Sequence, residues 1–291
     1  MTHTAPHAAH HDSHDSHHGH RTEADDHAEI LDLDADVLAE HTASIIASLP
    51  LASAPGRIVD LGCGTGAGTF ALLDRFPEAE VTAVDSSPHH LRRLRQKAEA
   101  SGTADRVRLV QADLDREWPE LGAPELVWAS ASMHHMADPD RTLRQVHGLL
   151  APGGLFAVVE LAGFPRFLPV GAPDERPGLE ERCHAANDRR LAEHVPHRGA
   201  DWGSGLTGAG FTVEWERTIT VNLDGSHNEA VGRYALRSLQ RMRGTIAQVL
   251  PAEDLAALDR LLDTDSPHGI LRRGDLALRT ERTVWAARRP G

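Results

Sequence analysis

The sequence predicts an α/β protein. Its core is a doubly wound, mainly parallel sheet of seven strands with a C-terminal antiparallel hairpin, to which an N-terminal helix and an inserted helical cap are added. Three observations carry this expectation. Between residues 57 and 161, short apolar runs alternate with helix-length amphipathic stretches, the pattern of βαβ units. The first run leads straight into Gly62, Gly64 and Gly66, where a strand can turn tightly into a helix. Two long alternating segments, Phe211–Asp224 and Leu276–Arg288, lie near the end of the chain, as expected of antiparallel strands.

The elements follow in order. Eight of the first twenty residues are His. Residues 1–24 hold too little apolar surface to offset the entropy of ordering, so they read as a disordered tail. Ile30, Leu31, Val37, Leu38, Ile45, Ile46 and Leu49 recur at helical spacing before Pro50, which predicts an amphipathic helix. Arg57–Leu61, Ala79–Asp85, Val107–Gln111, Pro124–Ser130 and Leu155–Leu161 read as strands one to five. Helices are expected at Ala67–Arg75, at Pro88–Ser101 with an early proline, and at Pro139–Leu150 with Asp138 as N-cap. Residues 162–200 break this rhythm with Pro, Gly and charge, around a short helix near Leu179–His194. Further helices are expected near 206–210, 226–249 and 251–263. The domain plan is one domain over 25–291: a core at 55–161, and cap elements at 25–51, 162–205 and 226–265.

Bulk properties narrow the function. The formal net charge is −13, which disfavours nucleic acid and anionic membranes, since both are gripped by clustered Lys and Arg. No apolar run approaches the length of a membrane span. Two distant cysteines, Cys63 and Cys183, form no disulfide framework, which suits a reducing cytoplasm. Nothing in the sequence sets the oligomeric state, and a homodimer is compatible with it. No metal site is expected in the folded part, and His184, His194 and His197 read as scattered solvated residues. In the tail, His10, His11, His14, His17 and His18 could hold nickel, zinc or copper weakly.

The most informative stretch is Val59-Asp60-Leu61-Gly62-Cys63-Gly64-Thr65-Gly66. Glycines after a strand let a ligand approach the backbone, and the following helix presents its positive end. Gly62-x-Gly64-x-x-Ala67 also fits a dinucleotide fingerprint. Either reading expects Asp85, at the end of strand two, to accept ribose hydroxyls.

The motifs that follow separate the two readings. With Thr82–Ser87, Gln111–Leu114, the loop Ala129–Met136 and the turn Leu149–Gly154, this stretch resembles the class I, Rossmann-like S-adenosylmethionine-dependent methyltransferases. Five motifs stand in the family's order over residues 55–165, with Ala151 in place of the family's Arg. The resemblance implies S-adenosylmethionine as cofactor. It implies that Asp60, Gly62, Cys63, Gly64 and Gly66 hold the methionine end, and that Asp85 and Ser86 hold the ribose. It implies that Ala112, Asp113 and Leu114 receive the adenine, with Ala129 and Ser130 opening the loop after strand four. The methyl acceptor is expected to be a small molecule. Candidate catalytic residues are His134 or His135 as general base, with packing against the cofactor as the competing reading, and Glu160 facing the substrate. Non-methylating chemistry on the same cofactor remains an alternative, as does a metal-responsive binding protein using the tail.

Two residue sets in the cap carry their own expectations. Tyr234, Arg237 and Arg241 share one helix face and read as solvent-facing. Trp202 and Phe167 read as parts of a lid.

Overall fold

The computed structural model describes residues 23–192, 195, 197–226 and 228–291. The histidine-rich segment and its candidate metal ligands lie outside them.

Five strands, β1 (Arg57–Leu61), β2 (Glu80–Asp85), β3 (Val107–Gln111), β4 (Leu126–Ser130) and β5 (Leu155–Leu161), are joined by α3 (Ala67–Arg75), α4 (Pro88–Ser101) and α5 (Pro139–Leu149). Two long strands, β6 (Thr212–Asp224) and β7 (Ala277–Arg288), complete one sheet in the order β3-β2-β1-β4-β5-β7-β6. The first five pair in parallel, while β7 runs antiparallel to both β5 and β6. This is the expected topology. Strand order reverses at β1, so a crevice forms outside the carboxyl ends of β1 and β4, where open α/β sheets bind ligands.

The central strands are apolar on both faces because helices cover both. On β4 and β5, Leu126, Trp128, Leu155, Ala157 and Val159 pack with Leu72 and Leu73 of α3. The intervening Val127, Ala129, Phe156 and Val158 pack on the other face with Leu143 and Val146 of α5. Trp202, expected in a lid, sits in this second cluster, on α7 (Trp202–Gly208).

The cap has a core of its own. The expected N-terminal helix is two, α1 (Glu23–Val37) and α2 (Ala39–Ala47), separated at Leu38. Leu33 and Leu38 join α6 (Leu179–Leu191), α8 (Glu229–Ile246) and α9 (Ala252–Leu262) in one buried cluster around Phe167, Leu239, Met242 and Leu258. Polar ties hold these helices in register. Glu180 accepts from the N–H groups of Phe167 and Leu168 at 2.7 and 3.0 Å. The buried Asp254 accepts from Arg176 and Arg182.

Candidate active site

A cavity of about 450 Å³ opens at the carboxyl ends of β1, β2 and β4, with the loop after β1 on one side and α1 across it. The loop owes its shape to glycine. Gly62 has φ +70°, and a Cβ there would stand 2.4 Å from that of Ser132. Only glycine therefore lets the loop after β4 close onto the end of β1. Ser132 Oγ completes the closure by donating to the Leu61 carbonyl at 2.8 Å. Gly66, at φ +98°, is the N-cap of α3, and its Cβ position faces Phe70 and Leu94 rather than the cavity. Its contribution is to the turn.

Asp85 ties the loop to β2. Its Oδ2 accepts from the Gly64 N–H at 2.8 Å, and its Oδ1 from the Ser87 N–H at 2.8 Å, with His90 Nδ1 at 3.3 Å. Burial works against its charge, but the hydrogen bonds from His90, Ser87 and Gly64 outweigh it and hold the carboxyl below its ordinary value. Asp60 lies deeper, 2% exposed, and accepts from Thr69 Oγ1 at 2.7 Å. Burial, reinforced by the charge of Asp85 and opposed by the Thr69 hydrogen bond, pushes its carboxyl up to about 7. Cys63 is buried between them. Burial and these two carboxylates push its thiol up, which leaves it a small packing residue rather than a nucleophile.

Ser86, Ala112, Asp113 and Leu114 line the cavity, and Ser130 lines it from β4. Asp113 is half-exposed and pairs with Arg116 at 3.1 Å. Ala129 departs from expectation: it is fully buried in the sheet core, because strand alternation turns it away from the face that Ser130 presents.

The catalytic candidates divide. His135 lines the cavity, and burial, with His134 adding, lowers its pKa. His134 is buried, with Nδ1 2.5 Å from Glu160 Oε2. Glu160 Oε1 accepts from the N–H groups of Met133 and His134 at 2.8 and 3.3 Å. Glu160 was expected to face the substrate. Instead it is 3% exposed and holds the loop after β4 in place. The pair is a positioning device, because a buried carboxylate at the end of β5 is met by the donors of the adjacent loop.

Helix α1 contributes His27, Leu31 and Asp34 to the opposite wall. A Cβ on Gly64 would lie 3.2 Å from Leu31 Cδ1, so the helix rests directly on the loop. His27 is pushed down to about 4, mainly by burial and then by Arg241. At the far end, Asp34 accepts from Tyr234 Oη at 2.6 Å and from Arg282 Nη2 at 2.7 and 2.8 Å. Tyr234 was expected to face water and is 3% exposed. Its neighbour Arg237 pairs with Glu29 at 3.0 Å, so this face of α8 packs on α1. Sequence reasoning did not single out Asp34 or Arg282. The available signal was a charge at an inward position of β7, in step with Leu278, Thr280 and Val284. Among the described residues, no group of three or more His, Cys, Asp or Glu side chains is placed to hold a metal.

The cavity suits a nucleoside bearing a cationic amino-acid tail. Its wall carries Asp60, Asp85, Asp113 and Asp115, a set of acceptors for hydroxyl, amino and cationic groups. Trp128 lines the same wall, and its Nε1, like Thr65 Oγ1 and Arg282 Nε, is buried without a partner among the described residues.

Comparison with known proteins agrees. A family model described as a methyltransferase domain matches residues 59–156. The chain is 34% identical over 211 residues to trans-aconitate 2-methyltransferase of Methylobacterium nodulans, covering 68% of this chain and 73% of that protein. It is 36% identical over 201 residues to malonyl-[acyl-carrier protein] O-methyltransferase of Laribacter hongkongensis, covering 62% of this chain and 63% of that protein. Among solved structures, phosphoethanolamine N-methyltransferase 2 of Haemonchus contortus, in complex with S-adenosyl-L-methionine, superposes with a TM-score of 0.54 at 14% identity. That superposition covers 93% of this chain and 58% of the other, and the likeness shows a shared fold.

Proposed function

The chain belongs to the S-adenosylmethionine-dependent methyltransferases, and we propose that it methylates a small molecule bearing a carboxylate, bound between the loop after β4 and α1. The observation that carries this reading is the cavity itself, with the glycine loop and Asp85 on one side and the Arg282 guanidinium on the far side.

When bound, the cofactor supplies a methyl group already activated on a sulfonium, which leaves the protein to orient an acceptor and exclude water. The Gly62–Gly66 loop and Asp60 hold the methionine end in this reading. Asp85 and Ser86 receive the ribose, and Ala112, Asp113 and Leu114 receive the adenine. Helix α1 keeps water out by lying across the loop. His135, in the wall, offers one ring nitrogen to the acceptor. His134 is held against Glu160 and so fixes where His135 stands.

An ionised carboxylate is itself a nucleophile and has no proton to surrender. Such an acceptor needs orientation rather than a general base, and His135 can provide that from the cavity wall. The relatives named for trans-aconitate and malonyl acceptors have carboxylate-bearing acceptors, which supports the same class.

Calorimetry with S-adenosylhomocysteine, followed by methyl-transfer assays on matched sets of carboxylic acids, phenols and amines, tests the reading. Binding of the demethylated cofactor and methyl esters from the acid set are expected. Turnover confined to amines would sink the acceptor class, and no heat with S-adenosylhomocysteine would sink the cofactor pocket.

A further inference from the structure

We propose that Arg282, with Tyr234, is a carboxylate receptor at the acceptor end of the cavity, and that Asp34 of α1 occupies it as a built-in competitor. The proposal rests on the function above and deepens it by naming what reads the acceptor.

Arg282 is 8% exposed and lies on the cavity wall. A guanidinium that far from water needs an anion, because an unpaired buried cation is strongly destabilising. Two carboxylates are near. Glu160 already accepts from Met133 and from the backbone and ring of His134. Asp34 is thus the partner, with both oxygens on Arg282 Nη2 and one also on Tyr234 Oη. A carboxylate therefore already sits at this site, held by one guanidinium nitrogen and a phenol. It is attached to the helix that covers the cofactor loop.

Two further features mark the place as a receptor rather than a closed structural pair. Asp34 also lines the cavity and keeps a quarter of its side chain accessible, so a ligand in the cavity meets this ion pair. Arg282 Nε is buried and, among the described residues, has no partner, so a donor is left over after Asp34 is bound. An arriving carboxylate that takes these donors meets the charge of Asp34 at short range in a poorly screened site. The two cannot share the guanidinium comfortably, and the acceptor displaces Asp34. A neutral acceptor that moved Asp34 would strand Arg282 without an anion. The ion pair therefore discriminates between acceptors by charge.

The test uses the full chain loaded with S-adenosylhomocysteine, whose binding by wild type is read first. Failure there strikes the function itself rather than the receptor. Acetate and trans-aconitate are then titrated by calorimetry against wild type, Asp34→Ala and Asp34→Ala/Arg282→Gln. Chloride at matched ionic strength and inorganic phosphate are the references. Removing the competitor is expected to tighten carboxylate binding by roughly tenfold or more, the scale of one hydrogen bond to a charged group. The double variant is expected to lose that gain, and phosphate to show none. If Asp34→Ala does not fold, the isosteric Asp34→Asn takes its place. Affinity unchanged by loss of Asp34, a gain that survives loss of Arg282, or phosphate binding as well as carboxylate would each overturn the proposal.

Discussion

The two sides of the cavity are built on different principles. The cofactor side is backbone geometry: Gly62 at positive φ, Ser132 closing on Leu61, and Asp85 taking N–H groups from Gly64 and Ser87. The opposite wall, carried by α1, is held by side-chain pairing between distant elements: Asp34 with Arg282 and Tyr234, Asp32 with Arg93 and Lys97, Glu29 with Arg237. Backbone geometry tolerates almost no substitution. The outer pairs, at Asp32 and Glu29, are in partial contact with water and can be broken singly at modest cost, whereas the buried Arg282 has to exchange one anion for another. One side is thus rigid and suited to an invariant cofactor, while the other can be retuned to a new acceptor.

The sharpest way to break this contrast is Gly62→Val. Its side chain would enter the space of Ser132 at a φ that β-branched residues avoid. S-adenosylhomocysteine affinity is expected to fall by more than about a hundredfold, read by calorimetry, the scale of losing two or more hydrogen bonds to a misplaced loop. Retained affinity would show that the loop is more compliant than its geometry implies.

Next comes Glu160→Ala, which strands two buried N–H groups and the ring of His134. A loss of about 3 kcal/mol in urea unfolding is expected, with methyl transfer lowered because His135 shifts with its neighbour. Full stability with lost activity would instead return Glu160 to direct chemistry.

The cap has its own pH signature. His184, read from the sequence as solvated, is 2% exposed; burial, and then the charges of Arg166 and Arg198, push it down to about 4 from 6.5. Below pH 6.5 the unfolded chain takes up a proton that the folded chain refuses until about pH 4, so stability falls as pH falls through that window. His184 should account for about 1–2 kcal/mol lost by pH 5, and because His27 is pushed down equally, His184→Leu should shrink that limb without abolishing it in urea titrations at pH 7.5 and 5. An equal slope in the variant would remove His184 as the cause.

The smallest effect is expected at Asp32, whose partners Arg93 and Lys97 are more than a third exposed. Asp32→Ala should cost under about 1 kcal/mol and leave cofactor affinity within about threefold, the equivalent of a few tenths to one kcal/mol. A larger loss would mean that α1 depends on this tie.

Much of this was legible along the chain. The five parallel strands fall within two residues of where apolar runs and flanking Gly or Pro place them, because a strand buried on both faces has to be apolar throughout. The positive-φ glycines were readable because a strand that turns at once into a helix demands them. Glu160 misled because a carboxylate at a strand end looks the same whether it faces ligand or loop. Tyr234 misled because its buried face exists only when α1 lies on α8.

Local order was thus determined by the sequence alone: strands, connecting helices and the positive-φ turn all follow from short-range sterics and hydrophobic period. What only the tertiary structure decided was the acceptor end. There, residues 34, 234 and 282 meet across up to 248 positions of chain, and no periodicity records which distant charge answers which. The physical reason is that burial, not spacing, forces a buried cation to find an anion, and burial is a property of the packed molecule.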